Sequence, residues 1–597
     1  MTTTELHLAK IVRARIEQSA AKPAMGFEAA GRWQSITYRQ LGERIDAVAS
    51  WLIDEGIVHG DRVAIFAPNS PAWTIVDLAV ITIGAVAVPI YATNTADQAA
   101  HILRDSGAVV VFAGDKDQRD KSVPLQAEGI VRRVVVFDRT EAMPDRRVVA
   151  FDDVLAHPTS PMLGARIAAT APEDLSSLIY TSGTTGEPKG VMLTHVNLTS
   201  QFKTLDAKFD VSERDRSLCF LPLSHTYEHT WTFYVLARGA ENVYLEDPKR
   251  ISEAMQHVRP TCMVSVPRLY EKIYATARHR LSQASKTKRL LFEWALGVGR
   301  DVEYRKVRKE KVGAILAAKH AIADTLVLAK VRDLVGGPKN FFSAGGASLS
   351  KEIEEFFFST GLLVCQGYGL TETAPMLTCN APDEFKFGTV GKPIIDVEIK
   401  IADDGEILAR GPNLMQGYYR MPDATSEAIV DGWLHTGDIG SFDDDGFLRI
   451  TDRKKDLIIT SGGKNIAPSR IESIIGADYY IDQIAAVGEG KNYISALIVP
   501  QFEALEQWAK ERGVTFDSVK SLVKDARVIA FIAERIEAQQ KELAQYEKIK
   551  KFTLLSDRFS QLGGEITPTL KNIRKAIAQK YRDVIESMYS DQDRGNP

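Results

Sequence analysis

Cysteine is scarce: the four in 597 residues, Cys219, Cys262, Cys365 and Cys379, form neither a CxxC pair nor a disulfide framework. That spacing argues against structural zinc, points to a reducing compartment, and leaves each thiol to act as a small buried hydrophobe. Long apolar runs are missing too. The nearest approach, LAVITIGAVAVPIYA at 78–92, falls short of the roughly 20 residues a spanning helix needs and is broken by Gly84 and Pro89. It reads as a buried helix running into a buried strand. The N-terminal MTTTELHLAKIVRARIEQSA has no apolar core followed by a small-residue cleavage site, so no signal peptide is expected and the expected location is cytoplasmic. Charge of one sign is also lacking: Lys+Arg 74 stand against Asp+Glu 78, which removes any global electrostatic case for binding nucleic acid.

What is present is enough chain for at least two domains, since one hydrophobic core stops growing at roughly 250 to 300 residues. Apolar β-branched runs, RVAIF (62–66), AVVVF (108–112) and RVVVF (133–137), alternate with helix-period segments such as YRQLGERIDAVASWLIDEG (38–56). This predicts an α/β fold of helix-covered parallel sheets. Residues 268–335 break the alternation and read as almost continuously helical. Within them 286–311 carries nine Lys/Arg against four Asp/Glu, either a solvated face or a contact with an anionic membrane surface at its inner face. Beyond about 453 short strands and charged helices return, which predicts a large domain over 1–452 and a smaller C-terminal α/β domain over 453–597.

The most informative segment is SSLIYTSGTTGEPKGVMLTH (176–195), two strand-like runs around a loop of glycines and hydroxyls. Glycines let backbone approach a polyphosphate, hydroxyls and N–H groups donate to it, and Lys189 adds a point charge. It is not a Walker loop, because counting from Gly183 puts Pro188 where the second glycine belongs and Gly190 where Ser or Thr belongs. TSGTTGEPKG instead resembles, nearly letter for letter, the signature of the acyl-adenylate-forming superfamily. The resemblance continues in order through LPLSHTYE (221–228), SAGGASLS (343–350), QGYGLTET (366–373), GWLHTGD (432–438), TDRKKDLIITSGGKNIAP (451–468) and GEITPTLKNIRK (564–575).

The resemblance implies the superfamily's fold, a large N-terminal domain with a smaller mobile C-terminal lid, and assigns expected roles. Thr181, Ser182, Gly183, Thr184, Thr185, Gly186 and Lys189 would cradle the phosphates of ATP. Gly346, Ala347 and Ser348 would run along the adenine edge, Ser348 standing where relatives often have proline. Gln366, Gly367, Tyr368, Gly369, Leu370 and Thr371 would complete the adenine pocket, with Tyr368 against the ring. Asp438 and Arg453 would hold the ribose, Glu372 with Thr184 would hold Mg²⁺, and Lys464 would reach phosphate. Lys571 would be the catalytic cation of adenylation, and His225 would sit beside the carboxylate, unless it is a satisfied core histidine. Lys455 aligns with the family's hinge, and Ser461, Gly462 and Gly463 would line the path of coenzyme A once the lid has rotated.

Within the superfamily, no carrier-protein segment is seen after the C-terminal domain, and Arg453 to Lys464 lacks the insertion of fatty acyl-AMP ligases. Coenzyme A is therefore the expected acceptor. The helical insertion at 268–335 resembles that of long-chain fatty acyl-CoA synthetases, which implies a fatty acid, ATP and coenzyme A as substrates. A fatty acyl-AMP ligase is the second enzyme reading, and a catalytically dead lipid-binding protein on the same fold is a third. Trp231, Phe233 and Tyr234 are candidates for the acyl pocket or for core. Nothing in the sequence indicates the oligomeric state.

Overall fold

The computed structural model describes residues 6–138, 148–181, 188–567 and 571–590. Two large sheets form most of the N-terminal part. In the first, of eight strands, Arg62–Phe66 lies between Val86–Ile90 and Val110–Ala113, with Arg133–Val136 beyond, all parallel. These are the Val/Ile-rich runs of the sequence, and they are apolar on both faces because both faces are covered. On the other side of Val86–Ile90 come Leu175–Thr181 and then Lys189–Thr194, paired antiparallel so that Thr181 faces Lys189. The second sheet has nine strands, with Arg216–Cys219, Cys262–Ser265, Phe341–Ala344 and Val364–Gly369 parallel at its centre.

Between the sheets lie helices Pro71–Thr82 and Thr226–Ala237, whose residues are buried almost without exception. Pro71–Thr82 starts on a Ser70 hydroxyl that accepts from the Trp73 N–H, with proline at its first position. It runs into buried strand Val86–Ile90, so the apolar stretch at 78–92 is interior structure. Among the described residues no helix is long and apolar enough to cross a membrane. The two buried helices are joined by His229 Nε2 and Asp77, 2.6 Å apart and both about 1% exposed.

Residues 268–335 are helical as expected: Pro267–Ser282, Lys286–Val307 and Ala314–Ala323, followed by short turns of helix to Asp333. They close a second apolar core against Lys351–Ser359. Gly299 permits the contact, since a Cβ there would lie 2.0 Å from the Ser359 carbonyl oxygen. A third sheet ends in strand Leu448–Arg453, so the division expected after residue 452 falls just inside that strand. A separate core begins with Ile458 and surrounds the three-stranded sheet Ile481–Val487, Ile494–Pro500 and Ile549–Leu554.

One buried pair makes the N-terminal region sensitive to acid. His7 caps helix Leu8–Gln18 and stacks on His195 at 3.8 Å, and each is about 1% exposed or less. Burial, then the Lys10 charge, pulls His7 down to about 4; burial, then His7 and Lys10, holds His195 well below the usual range. Both are neutral in the fold, while the unfolded chain takes up protons below about 6.5. Stability is therefore fully present above that pH and is lost as pH falls toward 4. The drop in thermal midpoint between pH 7 and pH 5 is expected to be clearly smaller in His195→Phe than in the wild type. An identical pH dependence would show that this pair does not carry the effect.

Candidate active site

Loops at the carboxyl ends of the second sheet's parallel strands open into a cleft of about 2870 Å³ between the large domain and the C-terminal domain. Ligand pockets are commonly about 300–1,000 Å³, so this one has room for a nucleotide and a long second substrate. Gly346, Ala347, Ser348, Gln366, Gly367, Tyr368, Gly369, Leu370, Thr371, Glu372, Asp438, Arg453, Lys455, His225, Thr181 and Lys571 all line it. Ser182, Gly183, Thr184, Thr185 and Gly186 lie outside the described residues.

The polar end is built around strand Val364–Gly369. Gln366 is almost fully buried and spends its amide on Leu349, accepting from the Leu349 N–H at 2.8 Å and donating to its carbonyl at 3.2 Å. It thus fixes the 345–350 loop while lining the cleft. Gly369 is glycine for space: a Cβ would lie 1.7 Å from the Pro375 carbonyl oxygen. The Tyr368 hydroxyl donates to Asp438 at 2.7 Å, and Arg453 Nε donates to the other Asp438 oxygen at 3.1 Å. Strand pairing sets Asp438 directly opposite Arg453. Burial and the Asp438 charge push the Tyr368 phenol well above its ordinary range, so it remains a donor.

Glu372 is half-buried, and the Tyr418 hydroxyl donates to its Oε1 at 2.9 Å. The sequence reading missed Tyr418. It reaches Glu372 because Gly417–Tyr418 pairs with Val191 and Met192 at the edge of the first sheet, a register no local motif reveals. Lys189 lies 4.9 Å over the Tyr418 ring, which links strand Lys189–Thr194 to the same corner.

Lys571 enters from the C-terminal domain. Its backbone is tied to Thr567 in both directions, and its side chain is solvent-accessible within the cleft. Desolvation in the cleft and then the like charge of Arg453 lower its pKa, while Asp438, Asp456 and Glu372 work the other way. A cation so placed gains from an anionic ligand. His225 caps helix Thr226–Ala237, its Nδ1 accepting from the Tyr227 N–H at 3.2 Å. Burial, reinforced by Lys571, pulls it down to about 4, so at neutral pH the ring is uncharged and its proton sits on Nε2. Asn69 steadies the preceding turn by bonding Leu221 and Leu223.

The other arm of the cleft is apolar, lined by Leu205, Phe209, Trp231, Val264 and Phe341. Phe209 stacks on Phe341 at 4.4 Å and Trp231 meets Phe341 edge-on at 5.2 Å. Of the three aromatic candidates, only Trp231 lines this wall. Phe233 packs on His229, and the Tyr234 hydroxyl bonds Asp206.

Lys464 is not brought to the cleft in this arrangement: it is exposed, with its amine 5.8 Å from the Tyr546 ring. Ser461, Gly462 and Gly463 are likewise exposed away from it. The present arrangement is held by Arg268, which donates to the Gly476 carbonyl at 3.4 Å and to Asp482 Oδ1 at 3.1 Å, and by His279 stacked on Tyr479 at 3.8 Å. Lys454 stays with the large domain through Gly437 and Glu406, and Lys455 is the next residue, within the turn that leads to the C-terminal core.

Residues 12–419 match the AMP-binding enzyme family, and 455–593 match the AMP-binding enzyme C-terminal domain. A long-chain-fatty-acid–CoA ligase of Mycobacterium tuberculosis, FadD15, is 37% identical over 94% of this chain and 93% of its own. The Xenopus laevis long-chain-fatty-acid–CoA ligase ACSBG2 is 30% identical over 96% and 82%. The adenylation domain of a carboxylate reductase from Mycobacterium chelonae superposes with a TM-score of 0.78 at 21% identity, covering 99% of this chain and 92% of that one. ATP-bound MatB from Rhodopseudomonas palustris gives 0.67 at 24%, covering 97% and 100%. The chain belongs to the AMP-binding enzyme family and has its α/β adenylate-forming fold, a large N-terminal domain followed by a small C-terminal one.

Proposed function

We propose that the protein is an ATP-dependent acyl-CoA synthetase acting on long-chain fatty acids. A carboxylate oxygen attacks the α-phosphorus of ATP, the bond to pyrophosphate breaks, and acyl-AMP forms. The thiolate of coenzyme A then attacks the acyl carbon, and AMP leaves with the electron pair of the C–O bond. The observation that carries this reading is a single cleft joining the Lys571 cation and the Asp438–Arg453 pair to an apolar arm walled by Phe209, Trp231 and Phe341.

In this reading Tyr368 and the 346–348 loop hold adenine, Asp438 accepts from the ribose hydroxyls, and Arg453 donates beside it. Lys571 lies where negative charge gathers as carboxylate and α-phosphate meet, and a preorganised cation there stabilises the transition state. Neutral His225 offers its Nε2–H to a carboxylate oxygen without adding a second cation that would oppose Lys571. Glu372 fits Mg²⁺: Tyr418 occupies one oxygen, the other makes no hydrogen bond among the described residues, and Mg²⁺ is commonly held by one or two carboxylates together with substrate phosphates. The ion, when bound, would neutralise phosphate charge.

Support for the thioester product comes from the curated relatives, which are named as CoA ligases over nearly their whole length. Incubation with ATP, Mg²⁺, coenzyme A and acids of graded chain length, read by mass spectrometry, tests the proposal. Acyl-AMP followed by acyl-CoA, with long chains preferred, is expected. Acyl-AMP without consumption of coenzyme A would favour a fatty acyl-AMP ligase, and neither product would remove the enzymatic reading.

A further inference from the structure

The helical run that starts at Ala314 is apolar on both sides. Leu316, Ala323 and Val327 face the core, while Ile315, Ile322 and Leu326 recur at helical spacing on the outside and are 77%, 55% and 45% exposed. Beside it on Lys286–Val307, packed against this helix, Leu290 and Trp294 are 62% and 38% exposed. Clustered large exposed hydrophobics mark a surface that meets something.

The charge around the patch identifies what it meets. Residues 286–330 carry eleven lysines and arginines against five acids. Lys286, Lys288, Arg289, Lys309, Lys311, Lys319 and Lys330 are exposed and form no ion pair among the described residues. A protein partner able to cover the apolar stripe would also need to supply acids for all of these. An anionic bilayer offers both at once: acyl chains for Ile315, Ile322, Leu326, Leu290 and Trp294, and headgroup phosphates for the cations.

We infer that the outer face of the 286–330 helices is a membrane-docking surface, with Ile315, Ile322 and Leu326 entering the headgroup–acyl boundary of an anionic bilayer and the surrounding lysines binding its phosphates. The inferred site extends the basic-segment reading, adding an apolar contact centred on the helix after 286–311 that the cations frame.

The test is co-sedimentation of the full chain with phosphatidylcholine vesicles, with and without phosphatidylglycerol, at low and high salt. Salt-sensitive binding to anionic vesicles is expected, with a blue shift of fluorescence that Trp294→Phe removes. Ile322→Glu with Leu326→Glu should weaken binding at least about tenfold. Combining Lys309→Gln, Lys311→Gln and Lys319→Gln should weaken it by about 10²-fold at low salt, at about fivefold per cation. Circular dichroism and thermal midpoints equal to wild type establish that the variants are folded. Equal partition to neutral and anionic vesicles overturns the proposal, as does wild-type binding by folded variants. So does a concentration-dependent dimer that the double Glu variant dissolves while wild type ignores vesicles, since the face would then belong to a second copy of the chain.

Discussion

Lys571→Ala is expected to lower formation of acyl-AMP by about 10²- to 10³-fold or more, while leaving transfer from supplied acyl-AMP to coenzyme A at the wild-type rate. The magnitude is that of removing one preorganised charge-stabilising group from a transition state. The asymmetry comes from placement. Lys571 enters the cleft from the C-terminal domain, under the influence of Arg453, Asp438 and Glu372, and in the proposed mechanism the lid rotation that opens the coenzyme A path carries it away before charge returns to the phosphate of the departing AMP. The substitution keeps the local fold, because the Lys571 backbone supplies both bonds to Thr567. Single-turnover assays of the two half-reactions, one started with ATP and acid and one with synthetic acyl-AMP, separate the effects. Equal loss in both would remove the assigned role.

Glu372→Gln should also cost about 10²-fold in adenylation, and should raise the Mg²⁺ concentration needed for half-maximal rate. Glutamine keeps the shape and can still accept the Tyr418 hydroxyl bond that fixes this side chain, so only the charge is lost. Titrating Mg²⁺ at saturating ATP measures the shift. A variant slowed but unchanged in its metal response would make Glu372 a structural acid, and the ligand would have to be sought elsewhere.

The parts legible in sequence and the parts that were not differ for physical reasons. RVAIF and RVVVF could be read as strands because a strand covered on both faces needs branched apolar residues throughout, a constraint local to five residues. Glu372, Asp438, Arg453 and Lys571 stood out through motif resemblance, and the fold carries all four to one cleft. Tyr418 did not stand out, because its meeting with Glu372 depends on sheet-edge pairing between segments more than two hundred residues apart. Gln366 lines the cleft, and its amide bonds to both the N–H and the carbonyl of Leu349, a pairing with a loop seventeen residues away that no motif shows.

The acyl arm was illegible for a related reason. Phe209, Trp231 and Phe341 come from three separate elements and meet only in the fold. Helix Thr226–Ala237 is buried on every side, so periodicity could not separate Trp231, which lines the cleft, from Phe233 and Tyr234, which do not. The outer stripe at Ile315, Ile322 and Leu326 was hidden in the same way, since apolar residues stand on both the inner and the outer face of this helical run and carry no mark of the face they occupy.

The most direct measurement follows oxygen. With a fatty acid labelled with ¹⁸O in its carboxylate, attack on the α-phosphorus leaves one carboxylate oxygen on that phosphorus when coenzyme A displaces AMP. The expected result is AMP carrying a single ¹⁸O, unlabelled pyrophosphate, and acyl-CoA in equal amount to the AMP. Label in inorganic phosphate with release of ADP, or acyl-CoA formed beside unlabelled AMP, would contradict an acyl-adenylate route.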